Sequence, residues 1–307
     1  MELLASMDGR DCPVCGAAAE SAIPFLESSL DEGRLTNDSF SSRKRPEFMS
    51  YRMVRCGRCD VIFANAAPAA WALERAYHDA GYSSAVEAHY AAATYASAIG
   101  PFLSRLPTRG AALEIGTGTG VFLAELQRLG FQRVVGIEPS IAAIAAAANG
   151  IKPFIQHGSF RGDELPPESL SLVCCFQTLE HIPRPRGFIE AAFCMIEPGG
   201  MIALITHDYS ATINKLLGKR SPIMDIEHLQ LFCPTALRLL VTNAGFEIVN
   251  LTSIRNKYPL GYWLNLLPLP RRDKNFMLGT ARRLGLVDKA LTFDVGNLLT
   301  LAQKPLS

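Results

Sequence analysis

Short apolar runs alternate with amphipathic segments between residues 111 and 206, and turns rich in glycine or proline separate them. Apolar runs of about four to eight residues are typical of buried strands, whereas apolar residues three or four apart indicate helices. The predicted strands are Ala111–Ile115, Arg133–Ile137, Pro153–His157, Leu170–Phe176 and Met201–Thr206, and the predicted helices are Val121–Leu129, Ile141–Asn149 and Phe188–Ile196. This alternation predicts an α/β fold with a doubly wound, Rossmann-like sheet.

The pattern resumes after an interruption at residues 207–232. Pro234–Ala244 reads as a helix, and Glu247–Leu251 and Leu298–Ala302 read as late strands, which brings the predicted sheet to seven strands. The interruption comes directly after a strand end. Since ligands bind beyond the carboxyl ends of strands in such sheets, we expect residues 207–232 to form an insertion beside a bound ligand.

Composition narrows the classes of function. The chain has 307 residues, of which 49% are hydrophobic, so it is not a wholly disordered protein. Its formal net charge is +1, which disfavours a nucleic-acid partner. We expect no membrane span and no secretory signal, because no apolar run is long enough and the first 25 residues lack a basic segment followed by an apolar one.

Two Cys-x-x-Cys pairs lie in the N-terminal part, Cys12 with Cys15 and Cys56 with Cys59. Two such turns can supply four thiolates to one tetrahedral ion, for which Zn²⁺ is the usual occupant, although the gap between the pairs is longer than in common zinc ribbons. The alternative is two disulfides in a secreted domain. The lack of a signal pattern favours structural zinc in a reducing, cytoplasmic location. The remaining cysteines are expected to be small core residues: Cys174, Cys175, Cys194 and Cys233.

A glycine-rich turn, Gly116-Thr117-Gly118-Thr119-Gly120, joins the first predicted strand of the sheet to the first helix. Glycines let the backbone pass close to a ligand, and the helix start offers free N–H groups. Glu114 precedes the turn, and Glu138 ends the next strand. A carboxylate at the latter position can accept hydrogen bonds from both hydroxyls of a ribose.

These features, together with Gly158-Ser159-Phe160, Phe176–Pro183 and Ile196–Gly200, resemble the motifs of class I S-adenosylmethionine-dependent methyltransferases in order and spacing. The resemblance covers about residues 110–255. It implies a seven-stranded methyltransferase sheet and S-adenosylmethionine as cofactor. The residues that it assigns to the cofactor are Glu114, Gly116, Thr117, Gly118, Gly120, Glu138, Pro139, Ser159, Phe160 and Gln177.

The segment Tyr51–Phe63 resembles the zinc-binding lead-in of a methyltransferase subset that includes sugar C-methyltransferases and enzymes of polysaccharide and natural-product pathways. C-methyltransferases of this kind carry a further C-terminal domain that this length does not accommodate. We therefore expect O-methylation, with N-methylation as the alternative. The expected units are a zinc module at 1–68, a helical linker and lid over the cofactor at 69–106, and the methyltransferase domain at 107–307.

Histidine is the expected base for a hydroxyl acceptor. His228 is the first candidate, because Glu227-His228 matches a Glu-His pair that similar sugar methyltransferases place at the acceptor. His181 and His207 come next, each with a structural role as the alternative. A related quinone O-methyltransferase branch uses acidic metal ligands before a Glu-His pair that corresponds to Glu180-His181 here. Residues 176–179, which precede this pair, are not acidic, so we do not expect catalytic Mg²⁺.

The leading hypothesis is a methyltransferase for a small-molecule acceptor such as a sugar, glycolipid or natural product. One alternative is an RNA methyltransferase whose zinc module grips RNA, and another is a non-catalytic scaffold that binds S-adenosylmethionine. Arg271, Arg272 and Lys274 form a basic cluster that we expect on a solvated loop. The alternative is that this cluster holds a phosphate or carboxylate of the acceptor.

Overall fold

The computed structural model describes residues 6–41, 47–267 and 269–306. The strands of this part are β1 (Met7–Gly9), β2 (Ile23–Leu26), β3 (Met53–Arg55), β4 (Ile62–Ala64), β5 (Ala66–Pro68), β6 (Ala111–Ile115), β7 (Arg133–Glu138), β8 (Ile155–His157), β9 (Leu170–Phe176), β10 (Ile196–His207), β11 (Gln230–Leu231), β12 (Glu247–Pro259) and β13 (Ala290–Gln303). The α-helices are α1 (Ala70–His78), α2 (Ala85–Ile99), α3 (Val121–Arg128), α4 (Ile141–Ala145), α5 (Pro185–Met195), α6 (Thr212–Leu217), α7 (Pro234–Asn243), α8 (Leu260–Leu266) and α9 (Arg271–Arg283).

Seven strands form the central sheet in the order β12-β13-β10-β9-β6-β7-β8. The five strands from β10 to β8 run parallel to one another, and β13 inserts antiparallel between β10 and β12. The predicted doubly wound α/β fold with seven strands is therefore confirmed.

Apolar layers cover both faces of this sheet, because successive residues of a strand point to opposite sides. Leu113 packs with Phe188 of α5 and Leu237 of α7 on one face, whereas Ala112 packs with Tyr95 of α2 on the other. The parallel strands are consequently apolar along most of their length, as in β9, where every residue is buried. Because the five strands from β10 to β8 are parallel, their carboxyl ends lie along one edge of the sheet.

A second sheet of four strands, in the order β11-β4-β3-β2, lies beside the cysteine pairs. Strands β3 and β4 form a hairpin around the second cysteine pair. The fourth strand, β11, comes from the segment 207–232, so the insertion and the N-terminal segment share one sheet. The Gln230 side chain strengthens this join: its Oε1 accepts from Arg10, and its Nε2 donates to the carbonyls of Leu179 and Ile182.

The structure corrects three expectations about local structure. The alanine-rich helix α4 ends at Ala145 rather than Asn149. The basic cluster at 271–274 lies in the first turn of α9, not in a loop, because Leu278 and Ala281 of this helix pack on Leu264 of α8. Cys194 is exposed, since it lies off the face of α5 that carries its buried residues.

Among the described residues, none of the helices combines the length and apolar character needed to cross a bilayer.

Candidate cofactor and acceptor site

A large cavity of about 1150 Å³ opens at the carboxyl ends of the parallel strands. Its lining includes the turns that come after β6, β7, β8 and β9, and the end of β10. Cavities for one drug-sized ligand span about 300–1000 Å³. The volume is therefore sufficient for a cofactor and a second small molecule side by side.

The glycine turn after β6 has the backbone conformation that its sequence predicts. Gly116, Gly118 and Gly120 have φ values of +71°, +59° and +69°, in the left-handed region that side chains disfavour. A Cβ at Gly116 would lie 2.3 Å from the hydroxyl of Thr178. The close approach of the turns after β6 and β9 therefore requires glycine at this position.

Glu138 lies at the floor of the cavity and is buried. One carboxylate oxygen accepts from the Gly118 amide at 2.7 Å, and the other accepts from the Ser140 amide at 2.9 Å. Burial raises the pKa of this carboxyl group, while the two amide hydrogen bonds oppose that rise. Each carboxylate oxygen can accept a further hydrogen bond, so the group can still receive two hydroxyl donors from a ligand.

Of the ten residues that the resemblance assigns to the cofactor, nine line the cavity. Among them, buried Glu114 accepts a hydrogen bond from the Thr117 hydroxyl. Gln177 has a φ of +48°, and its backbone N–H donates to the Ile205 carbonyl. Gly120 is the exception: a Cβ there would lie 2.6 Å from Ile151, so packing at the start of α3 accounts for this glycine.

Three histidines of the cavity lining lie close together. The ring centre of His228 lies 5.0 Å from that of His181 and 5.2 Å from that of His207. His228 is 5% exposed, and its Nδ1 lies 2.8 Å from the Ile223 carbonyl oxygen, to which it donates. In the neutral ring this leaves the lone pair on Nε2, which lies 3.9 Å from a carboxylate oxygen of Glu227.

His181 joins two segments of the wall. Its Nδ1 lies 2.8 Å from the Glu227 carbonyl oxygen and 3.0 Å from the Tyr77 hydroxyl, and its Nε2 lies 3.1 Å from the Gln177 carbonyl oxygen. Both ring nitrogens are thus engaged by neighbouring protein atoms. This arrangement suits a residue that holds the loop after β9 against the insertion.

His207 ends β10, and its Nδ1 lies 2.9 Å from Oδ1 of Asn297. The Asn297 amide nitrogen donates to Asn256, which fixes the orientation of that amide and makes His207 Nδ1 the donor. Burial lowers the pKa of His207 to about 4. Sequence reasoning missed both asparagines, although Asn297 stands directly before the apolar run 298–302 as a signal.

Glu180 lies beneath the histidines and is completely buried. One carboxyl oxygen accepts from the His207 amide at 2.6 Å, while the other has no hydrogen-bond partner among the described residues. Burial is the largest effect and raises the pKa of this group to about 8. Near neutral pH the side chain is therefore mainly the uncharged acid.

The far end of the cavity is aromatic and aliphatic. Tyr258 and Tyr262 stack at 4.3 Å between ring centres, and Trp263 packs edge-on against Phe293 at 5.3 Å. Leucines of α8 extend this surface. This end of the cavity can therefore hold an apolar portion of a ligand.

The segment 69–106 also contributes to the cavity. Its lining residues include Tyr77 of α1, Tyr82 between the two helices and Tyr95 of α2. The Tyr82 hydroxyl lies 3.4 Å from that of Thr119 in the glycine turn. The role of this segment as a lid stays a prediction.

The four predicted metal ligands come together beside the N-terminal sheet. All four sulfur atoms lie within 4.8 Å of one another, and the pairs Cys12–Cys59 and Cys15–Cys56 are each 3.5 Å apart. Sulfurs around a tetrahedral zinc ion, with bonds of about 2.3 Å, are separated by about 3.8 Å. A hydrogen bond from Cys59 lowers the pKa of Cys12 to about 5, whereas burial raises the pKa of Cys15 to about 11 and the hydrogen bond with Cys12 raises the pKa of Cys59. The donor set and its spacing fit Zn²⁺.

A family model described as a methyltransferase domain matches residues 88–251, more than half of the chain. The chain belongs to this methyltransferase family. It is accordingly an S-adenosylmethionine-dependent methyltransferase, and the cavity beside the glycine turn is the place where its fold would hold the cofactor.

Two relatives of this methyltransferase are ubiquinone biosynthesis O-methyltransferases. The protein from Shewanella sp. (strain ANA-3) is 26% identical over 187 residues, which cover 55% of this chain and 76% of the relative. The protein from Acinetobacter baumannii (strain AYE) is 24% identical over 193 residues, with 55% and 76% covered. A solved S-adenosylmethionine-dependent methyltransferase from Thermotoga maritima is 19% identical, with a TM-score of 0.47 over 71% of this chain and 91% of that one.

Proposed function

We propose that this methyltransferase transfers the methyl group of S-adenosylmethionine to a hydroxyl group of a small-molecule acceptor of the sugar or natural-product type. The observation that carries the proposal is the large cavity, whose lining includes the glycine turn, Glu138 and three histidines. Such an arrangement brings a cofactor and an acceptor hydroxyl into one enclosed space, as an in-line displacement requires.

Bound S-adenosylmethionine supplies the electrophilic methyl group. The carboxylate of Glu138 would accept hydrogen bonds from the ribose hydroxyls, and the turn at Gly116 and Gly118 would admit the cofactor without a clashing side chain. The two backbone amides on Glu138 hold this carboxylate in place. These residues therefore bind and orient the cofactor rather than take part in proton transfer.

His228 is the proposed base for the acceptor hydroxyl. Its Nδ1–H is committed to the Ile223 carbonyl, which leaves Nε2 as the atom that receives the proton. Glu227, 3.9 Å from Nε2, stabilises the imidazolium that results. His207 is the weaker candidate, because its pKa of about 4 makes it a poor base.

Support for O-methylation over N-methylation comes from the relatives, which are O-methyltransferases. A neutral amine would need no base, whereas the histidine cluster suits an acceptor that must lose a proton. Because the far end of the cavity is aromatic, we infer that the acceptor carries an apolar part beside its hydroxyl.

The zinc ion is proposed as structural. The cysteine cluster lies beside the N-terminal sheet and is not part of the cavity lining, so the ion would stabilise this sheet without contacting the acceptor.

The test is a transfer assay with S-adenosylmethionine labelled in its methyl group, offered with panels of sugars, phenols, amines and transcribed RNA. We expect label in a hydroxylated acceptor and a mass gain of one methyl group that is stable to mild base, as an ether is. Tight cofactor binding without transfer to any panel would instead indicate a scaffold. Label in RNA alone would assign the protein to RNA modification.

A further inference from the structure

Helix α9 carries two different faces. Its inner face, with Leu278 and Ala281, packs on Leu264 of α8 and is buried. Arg272, Phe276 and Arg283 are spaced so that they fall on the opposite side of the helix. Phe276 is 75% exposed, although an isolated aromatic side chain of this size gains from burial. The outer face of α9 thus presents an aromatic ring between two arginines.

Charge is concentrated on the same helix. Residues 271–283 include five basic residues and one acidic residue, whereas the whole chain has a net charge of only +1. Within the described part of the chain, no carboxylate lies within 4 Å of the Arg272 or Arg283 guanidinium. Two further leucines are exposed where α9 ends, with Leu284 at 65% and Leu286 at 38%.

The helix also lies next to the acceptor end of the cavity. Leu264 and Leu267 of the α8 segment line the cavity and belong to, or pack against, the cluster that α9 completes. Helix α9 therefore packs on residues that themselves line the cavity.

We propose that the outer face of α9 docks the protein on an anionic lipid surface. A basic helix face with an aromatic anchor is the pattern that binds in the plane of a membrane interface, where Phe enters the acyl boundary and arginines reach the lipid phosphates. A partner of this kind needs no shaped pocket, only negative charge and an apolar layer, and α9 matches both. The docked membrane would then be a source of amphipathic acceptors beside the aromatic end of the cavity. This last step rests on the proposed function.

The experiment is flotation of the full chain with vesicles of phosphatidylglycerol and phosphatidylcholine in equal amounts, and with vesicles of phosphatidylcholine alone. Neither cofactor nor acceptor is added. We expect binding to the anionic vesicles only, and its loss in high salt. Arg272→Gln/Arg283→Gln should weaken binding about 25-fold, from about five-fold for each basic residue near the surface. Phe276→Ser should weaken it about ten-fold or more.

Matched controls are Arg238→Gln on α7 and Ile23→Ser on β2, which remove an exposed charge and an exposed apolar residue elsewhere. They should bind like the wild type. Absence of vesicle binding, or binding that the α9 variants leave unchanged, would overturn the proposal, and retention on RNA without vesicle binding would reassign the face to nucleic acid. Calorimetry with S-adenosylmethionine on each variant checks folding and keeps this result separate from the proposed function.

Discussion

His207 and Asn297 face each other across two antiparallel strands, with the imidazole Nδ1 2.9 Å from the amide oxygen. The amide cannot turn without losing its hydrogen bond to Asn256. His207 is therefore held as the tautomer with its lone pair on Nε2, and burial keeps it neutral above a pH of about 4. A neutral ring in this position can accept a hydrogen bond from a ligand at any physiological pH.

The base itself is tested at His228. His228→Ala should lower kcat by about 10²–10⁴, the usual worth of a general base. Cofactor affinity should stay close to that of the wild type, because His228 is not among the residues proposed to hold the cofactor. The wild-type rate should rise with pH as the base loses its proton, and this limb should be absent from the variant. Steady-state kinetics over pH measure both effects.

His157→Ala is the matched control, since His157 is exposed and lies outside the cavity lining. It should keep wild-type kinetics. Should His228→Ala turn over normally while His181→Ala is inactive, the role of base would pass to His181. If all of these variants remain active, positioning alone drives transfer, and an amine becomes the better acceptor.

Cofactor binding depends on Glu138. Glu138→Ala removes a buried acceptor and leaves the Gly118 and Ser140 amides without their partner. We expect binding of S-adenosylmethionine to weaken by about 1.5–3 kcal/mol, the range for a hydrogen bond to a charged group. Isothermal calorimetry gives the value directly. Unchanged affinity would show that the cofactor lies elsewhere.

Zinc should be present at one ion per chain. Cys56→Ser should lower the content of zinc and the Tm, because the metal site helps to fold the N-terminal sheet. The control is Cys194→Ser, which changes an exposed thiol outside the cluster and should affect neither. A fully folded protein without zinc in elemental analysis would contradict this prediction.

Glu180 gives the stability a defined pH dependence. Its pKa is about 8 in the folded protein, against an ordinary value of 4.5, so the folded state keeps a proton that the unfolded chain has released. The stabilisation is full below pH 4.5 and disappears as the pH rises through 8. Between about pH 7 and pH 9 the loss is on the order of 1 kcal/mol.

Glu180→Gln cannot titrate and should lack that loss. Urea unfolding of both proteins at about pH 7 and pH 9 measures the difference, with Glu190→Gln on the exposed side of α5 as the control. Parallel pH dependence in wild type and Glu180→Gln would mean that Glu180 is ionised in the folded protein.

Local signals make much of the site predictable from the sequence. The glycine turn and Glu138 lie within a single βαβ unit, where spacing along the chain fixes spacing in the fold. The cysteine pairs are equally predictable, since each pair occupies one tight turn. Features that depend only on neighbouring residues can thus be inferred from the order of those residues.

Long-range contacts cannot be inferred in that way. Asn256 and Asn297 orient His207 from two late strands, and no motif links them to residue 207. The first turn of α9 resembles a loop in sequence because it is almost entirely polar, while the residues that make it a helix depend on α8 for burial. The exposure of Cys194 is equally hidden, because composition says nothing of which helix face a residue occupies.

Strand β11 has a consequence for how this enzyme can be altered. Gln230 and Leu231 pair with the N-terminal sheet directly after the segment that bears His228, and the Gln230 side chain ties Arg10 to the loop after β9. A shortened enzyme that starts at residue 69 would leave β11 without its partner strand and would remove Arg10 from the Gln230 side chain that holds the loop after β9. Exchange of the N-terminal segment between homologous enzymes would change how β4 pairs with β11, and this change would reach the neighbouring segment that bears His228. The N-terminal sheet thus supports the segment that bears His228, and its strands cannot be removed without loss of that support.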